Sequence, residues 1–256
     1  MDIIFIFILG LITGSFLNSA IYRLEVKKTI IFSRSICPKC GKVLKWYELI
    51  PLISFIIQKG RCRGCGNKIA LQYPLVELST AILFILFYYQ LRITNHELDF
   101  KNLFVIFYHF LLVCFLVIIF VYDLKHYIIP DRVIYPAIVF VFIYWLLIVG
   151  FDFYTLLAIL ISGGLFFGLF FFSQGKWMGF GDVELAIFMG IVLGWPDILI
   201  ALFLSFVFGA IVGLFLIFLG RKTLQSQIPF GPFLCFSTIA TLLFDGYMST
   251  IIHTLF

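Results

Sequence analysis

Four cysteines stand in two CxxC pairs, Cys37-Pro38-Lys39-Cys40 and Cys62-Arg63-Gly64-Cys65, with twenty-one residues between them. Four thiolates at this spacing suit tetrahedral zinc. Gly41 and Gly66 follow the pairs directly, as expected where a chain turns tightly around a metal. A disulfide-bonded or redox-active loop and an iron–sulfur cluster are the competing readings, and a reducing compartment favours metal over disulfides. A closed four-cysteine site has no open coordination position, so its role is structural, stabilising a loop too short for a large core. Cys114 and Cys235 fall in apolar runs and read as small packing residues.

The second chemistry is acidic. An ionisable residue at membrane depth is a functional candidate by default, because charge is costly in lipid. Asp123 ends one apolar run in Val121-Tyr122-Asp123-Leu124-Lys125, and Asp182 opens another in Gly179-Phe180-Gly181-Asp182. Two carboxylates within reach of each other share one proton, so that one acts as base and the other as acid on a held water. Glycines beside Asp182 let backbone approach a bound peptide. The plainer alternatives are that Asp182 caps its helix and that Asp123 is a solvated end-of-span residue. Asp131 is expected as the N-cap of the helix it precedes. Glu184 sits in a first helical turn, where negative charge is favourable, Glu77 lies near the start of the second span, and Asp245 is expected to be a buried, hydrogen-bonded group.

The elements that must carry these residues are apolar. The 256-residue chain is 63% hydrophobic and 12% charged, with a mean hydropathy of +1.14. A soluble domain is usually about 25% charged, and no water-soluble fold of this size hides so much apolar surface. The pattern predicts an all-α polytopic membrane protein with about eight transmembrane helices, near 2–24, 74–92, 102–122, 133–150, 154–173, 183–196, 198–219 and 230–254. The sixth is short and ends at Gly194-Trp195-Pro196. Such a partial span is tolerated only where protein or a water-filled cavity surrounds it. Asp2 stands where a secretory signal carries positive charge, so the first run is expected to be a retained helix.

Orientation follows from lysine and arginine. Lys27, Lys28, Arg34, Lys39, Lys42, Lys45, Lys59, Arg61, Arg63 and Lys68 place ten of the eighteen basic residues in the loop at 25–73. The positive-inside rule makes that loop cytoplasmic. The loops near 123–132, 174–182 and 220–229 then share its side, which puts Asp123 and Asp182 at one membrane face, and both termini outside. The net charge of +5 is thus a topology signal and not a nucleic-acid footprint. Three regions are expected: a first transmembrane helix at 1–24, a small cytoplasmic four-cysteine zinc-binding domain at 25–73 and a membrane domain at 74–256.

Read in order, the segments resemble the type IV prepilin peptidases, bifunctional leader peptidases and N-methyltransferases of the GxGD aspartyl class. Gly14-Ser15-Phe16-Leu17-Asn18 with Ile21-Tyr22-Arg23-Leu24 looks like the family's opening. Cys37-Pro38-x-Cys40, Trp46-Tyr47-Glu48-Leu49-Ile50-Pro51-Leu52 and Gly60-Arg61-Cys62-Arg63-x-Cys65 look like its cytoplasmic domain. Tyr73-Pro74-Leu75-Val76-Glu77-Leu78 is similar to the entry to the second span. Asp123 with Ile129-Pro130-Asp131, then Gly179-Phe180-Gly181-Asp182, are similar to its two catalytic segments, and Pro229-Phe230-Gly231-Pro232 to the segment before the last span. The chain departs from the common pattern at Glu184, where members often carry a basic residue, and at Gln72, where an arginine is frequent.

The resemblance implies a peptidase of the bacterial inner membrane with Asp123 and Asp182 catalytic. Its substrate would be a prepilin or pseudopilin with a short basic leader and a hydrophobic helix, cleaved on the cytoplasmic side. S-adenosylmethionine would then serve as donor for methylation of the new N-terminal residue, with Asn18, Arg23, Glu48 and Glu77 near where that transfer occurs. A transporter would favour mid-span charges and paired broken helices. A thiol-redox membrane protein would need its CxxC pairs on the oxidising side, against the basic loop.

Overall fold

The computed structural model describes residues 2–26, 34–94, 100–223 and 226–255. The side chains of 93–94, 100–101 and 245–255 lie outside the described residues, and with them the expectation for Asp245, as do Lys27, Lys28, Glu97 and Asp99. The described helices are α1 (Asp2–Glu25), α2 (Ile53–Ile57), α3 (Gln72–Thr94), α4 (Phe100–His126), α5 (Asp131–Tyr144), α6 (Phe153–Ser173), α7 (Phe180–Leu193), α8 (Asp197–Phe218) and α9 (Gly231–Leu255). All but the one-turn α2 fall on the eight expected spans. Among the described residues the only β pairing is two isolated bridges in the cysteine loop. Among the described residues six helices are long and apolar enough to cross a membrane, one of them α5 extended by a π turn over Trp145–Val149. The chain is an all-α polytopic membrane protein with a four-cysteine loop.

Two compact units divide the chain inside α4, Met1–Ile118 and Ile119–Phe256. In the first, α1 and α3 meet along a seam of small residues. A Cβ added at Gly10 would lie 2.5 Å from the Cα of Ala81, and one at Gly14 would lie 2.7 Å from the Cα of Glu77. One turn on, Asn18 Nδ2 donates to the Tyr73 carbonyl at 2.9 Å. Steps of four up α1 thus meet steps of four down α3, the register of two antiparallel helices whose backbones touch. α3 also packs on α4 through the stacked rings of Phe84 and Phe110, 4.0 Å apart.

In the second unit α7 is the centre. With fourteen residues it is about 21 Å long, short of the roughly 30 Å hydrocarbon core. Val183, Leu185, Ala186, Phe188, Met189 and Ile191 are buried, so protein surrounds it, the condition a short span requires. The helix starts at Phe180, three residues before the expected boundary. Gly179 holds extended backbone as its N-cap, and Gly194 at φ +68° ends it. α6 lies against α7 without a gap: Cβ atoms at Gly190 and Gly163 would meet the Ile159 backbone and the Ile187 side chain, both at 2.8 Å. Ser162 Oγ donates across the seam to the Ala186 carbonyl at 2.9 Å. Outward-facing rings such as Phe172, Phe203 and Phe218 are exposed, the expected surface of a protein in a bilayer.

Candidate active site and metal centre

The metal centre is built twice from the same local turn. At each CxxC pair the first cysteine's carbonyl accepts the N–H of the following glycine: Gly41 to Cys37 and Gly66 to Cys62, both at 2.9 Å. The first cysteine's own N–H donates back across the turn, to Lys42 and Asn67 respectively, again at 2.9 Å. Both glycines sit at φ near +70°, a conformation that L side chains avoid, which is why glycine follows each pair. The bridges Ile36 to Val43 and Arg61 to Lys68 close the turns.

These turns bring Cys37, Cys40, Cys62 and Cys65 together, with all four sulfurs within 4.8 Å of one another and none in a disulfide. A tetrahedral ion with about 2.3 Å bonds to sulfur holds its ligands about 3.8 Å apart, so the donor set fits a metal ion. The Gly64 N–H and Asn67 Nδ2 reach Cys62 and Cys65 at 3.4 Å each. Backbone N–H groups of Cys65 and Gly64 bring the Cys62 thiol down to about 7, towards the thiolate a metal needs. The Lys42 N–H acts in the same direction at Cys40, but burial and the sulfurs of Cys37 and Cys65 outweigh it, and that thiol stands at about 11.

The loop is fastened by two buried carboxylates. Glu48 accepts from Lys42 Nζ and from the Lys45 N–H, both at 2.9 Å. Glu77 of α3 accepts from the Leu52 N–H at 2.8 Å, and Ser15 of α1 is its second partner. Gln72 bonds Asn18 at 3.4 Å, so Asn18 and Glu77 occupy neighbouring turns of the α1–α3 seam, while Glu48 belongs to the loop.

In the second unit, two helix N-termini hold the two aspartates. Asp123, one turn from the end of α4, is 4% exposed. Its carboxylate accepts the backbone N–H of Gly231 at the start of α9. Asp182 is the third residue of α7, and its carboxylate accepts from the Gly179 N–H at that helix's N-cap. Asp182 is thus not the N-cap of α7, a position Gly179 takes, but bonds back to that residue's N–H from the first turn, while Asp123 bonds the first N–H of α9 from another helix. Capping does not account for their proximity: the charge of Asp123 reaches Asp182, and both act on the buried sulfur of Cys235.

Ile129 is the part that sequence reasoning missed. A Cβ at Gly181 would stand 2.9 Å from Ile129 Cβ, and one at Gly231 would stand 3.5 Å from Ile129 Cδ1 and 2.6 Å from Asp123 Oδ2. One isoleucine side chain thus lies between the two glycines whose neighbours are the carboxylates. Its only signal was its place before Pro130 in a family-like segment.

Two expectations need revision. Asp131 is not an N-cap: Pro130 takes that position with extended backbone, and no side chain caps the helix. Asp131 has itself entered the first turn, exposed, where its charge faces the positive helix end. Glu184 is more than a first-turn charge; it is buried and accepts from Tyr135 Oη of α5 at 2.5 Å. Cys114 is half-buried, and Cys235 is fully buried, as expected of packing residues.

Comparison with known proteins now bears on these sites. Residues 8–91, which include all four cysteines, match the bacterial peptidase A24 N-terminal domain. Residues 110–214, which include both aspartates, match the type IV leader peptidase family. A prepilin leader peptidase/N-methyltransferase of Bacillus subtilis is 32% identical over 239 residues, covering 93% of both chains. One from Aeromonas salmonicida is 30% identical over 286 aligned positions, covering 96% of this chain and 94% of its own. Another, from Myxococcus xanthus, is 54% identical over 81 residues, which is 24% of that protein. No solved structure gives a match. With matches across both halves of the chain and along nearly its whole length, this protein belongs to the type IV leader peptidase family.

Proposed function

We propose that the protein is an aspartyl endopeptidase that removes the leader of a type IV prepilin or pseudopilin and then methylates the new N-terminal residue. The observation that carries the peptidase reading is the pairing of Asp123 and Asp182, held by two helix N-termini, near enough for the charge of Asp123 to reach Asp182 and for both to act on Cys235. Such a pair works with one proton between its members. The ionised carboxylate takes a proton from a water as it attacks the scissile carbonyl, and the protonated one gives its proton to the carbonyl oxygen; on collapse the first passes the water's proton to the leaving nitrogen and the second takes its own proton back. Gly179, with open space where a Cβ would stand, leaves the backbone before Asp182 accessible to an extended substrate, while Gly181 is packed on Ile129.

In this reading the four-cysteine cluster holds one structural Zn²⁺, and S-adenosylmethionine is the methyl donor. The loop and the catalytic face lie in the cytoplasm, as the positive-inside rule requires, with the protein in the bacterial inner membrane. The three regions at 1–24, 25–73 and 74–256 are a first helix, a zinc-binding domain and a peptidase domain. The relatives' names support both activities, and the donor set supports the metal.

The test is incubation of the purified protein, with and without S-adenosylmethionine, with prepilins followed by mass measurement. Loss of the leader and a further mass of one methyl group are expected. A prepilin that stays intact with the wild-type protein and is cut by no preparation of it would end the peptidase reading.

A further inference from the structure

Beside the aspartate pair, a groove of about 190 Å³ opens between the end of α4, the second half of α8 and the start of α9. Its walls include Leu124, Val212, Leu216, Ile228 and Phe233, all apolar, with Lys222 the single charged lining residue. The Lys222 ammonium lies 5.7 Å over the ring of Tyr127 and donates to the Gln227 carbonyl at 3.1 Å, so it is held at one place.

The groove is walled by chain neighbours of the site residues. Leu124 follows Asp123 directly, and Pro229 and Phe233, both in the wall, bracket Gly231, whose N–H holds the Asp123 carboxylate. It is smaller than the roughly 300–1,000 Å³ of small-molecule sites, so it suits side chains rather than a nucleoside cofactor.

The substrate class has two unlike sides, a basic leader and an apolar helix. Lys222 already occupies the Tyr127 ring and the Gln227 carbonyl, so the rest of this apolar trough offers a second lysine no partner, and a fixed ammonium repels it. We infer that this groove is the subsite for the first apolar side chains on the mature side of the scissile bond, with Lys222 turning the basic leader away. This rests on the peptidase reading and adds a direction to it: the substrate lies across the aspartates with its apolar segment towards α8 and α9 and its leader pointing elsewhere.

Photocrosslinking tests the direction without requiring cleavage. Benzoylphenylalanine replaces Phe233, already an aromatic residue of the wall, in the Asp182→Asn protein, in vesicles, with a synthetic peptide carrying a basic leader and an apolar segment. Adducts mapping to the first residues after the cleavage site are expected. Adducts confined to the leader, or to phospholipid alone, overturn the assignment. Because the readout is binding, it is separate from failure of the peptidase reading, which would appear as no cleavage of the same peptide by the wild-type protein.

Kinetics give the second arm. Filling the groove with Val212→Trp should raise KM by about tenfold, the scale of a few lost apolar contacts. kcat should stay within roughly twofold, because ground-state and transition-state binding are lost together. A peptide truncated before its apolar segment should be indifferent to the change. Leu216→Ala, which widens the groove, guards against misfolding of the tryptophan variant and should also raise KM. An equal KM increase for the truncated peptide, or a fall in kcat alone, overturns the assignment.

Discussion

The backbone N–H of Gly231 holds the Asp123 carboxylate, and the Cα of Gly231 lies so close that a Cβ there would stand 2.6 Å from Asp123 Oδ2. The last described helix thus begins against the carboxylate that ends the third long one. Gly231→Ala must push that carboxylate away or break the bond. A displacement of about 1 Å in a catalytic group costs on the order of a hundredfold. Cleavage by Gly231→Ala should fall to that extent while the thermal transition in detergent moves little; normal cleavage by a folded variant would contradict the geometry.

Asp123→Asn and Asp182→Asn should each abolish cleavage while leaving the helical content unchanged. The asparagines keep size and one acceptor oxygen, so the bonds from Gly231 and Gly179 can persist while acid–base chemistry is lost. Since the two act as a unit, the double variant should be hardly slower than either single one. Asp131→Asn, at an exposed first-turn position, should be mild. Circular dichroism and single-turnover cleavage check all four; a folded Asp182→Asn protein that cleaves at the normal rate would refute the pair.

Metal analysis of the purified protein should find one zinc per chain, removable by a strong chelator with loss of order in the loop. Bound sulfur is thiolate, so protons compete for the site and loading should weaken steadily as pH falls below neutral. Cys62→Ser should release the metal and leave α1 and α3 paired, because their seam of Gly10, Gly14 and Asn18 is built independently of the ion. Trp46 fluorescence and metal content report the two effects.

Glu48 should make the loop acid-sensitive. The Lys45 N–H, with Lys42 beside it, holds its carboxyl below the usual range. A depressed folded pKa adds stability that is fully present above the unfolded value, about 4.3, and is lost as pH falls through the folded value. Protection from hydrogen exchange at Lys45–Leu49, relative to the unfolded rate at each pH, should therefore be high above about pH 5 and fall below about pH 4. Glu48→Gln should remove most of that dependence, and an unchanged profile would rule Glu48 out as its source.

Glu184 needs Tyr135. Tyr135→Phe leaves the buried Glu184 carboxylate without the phenol that donates to it, a loss visible as a lower midpoint in thermal unfolding. Glu184→Gln, which can still accept from the phenol, should be milder.

The sequence by itself determined the elements and singled out the candidate sites. Long apolar runs are legible because a bilayer demands about twenty such residues in a row, and the two CxxC pairs with their glycines are legible because metal turns are local. Asp123 and Asp182 stood out because charge beside apolar spans is rare. The tertiary structure decided what depends on distant residues meeting. Asp131 read as a cap, but Pro130 already holds the extended entry, so the aspartate moved into the helix. Gly231 and Ile129 showed no chemistry in sequence, since a glycine's lack of a Cβ and an isoleucine's bulk acquire a role only against particular neighbours. Glu184 looked like a departure until α5 placed Tyr135 over it. The groove beside Asp123 is assembled from three helices more than ninety residues apart in sequence at its extremes, from Leu124 to Phe233; no periodicity could announce it, because its walls exist only once those helices have packed.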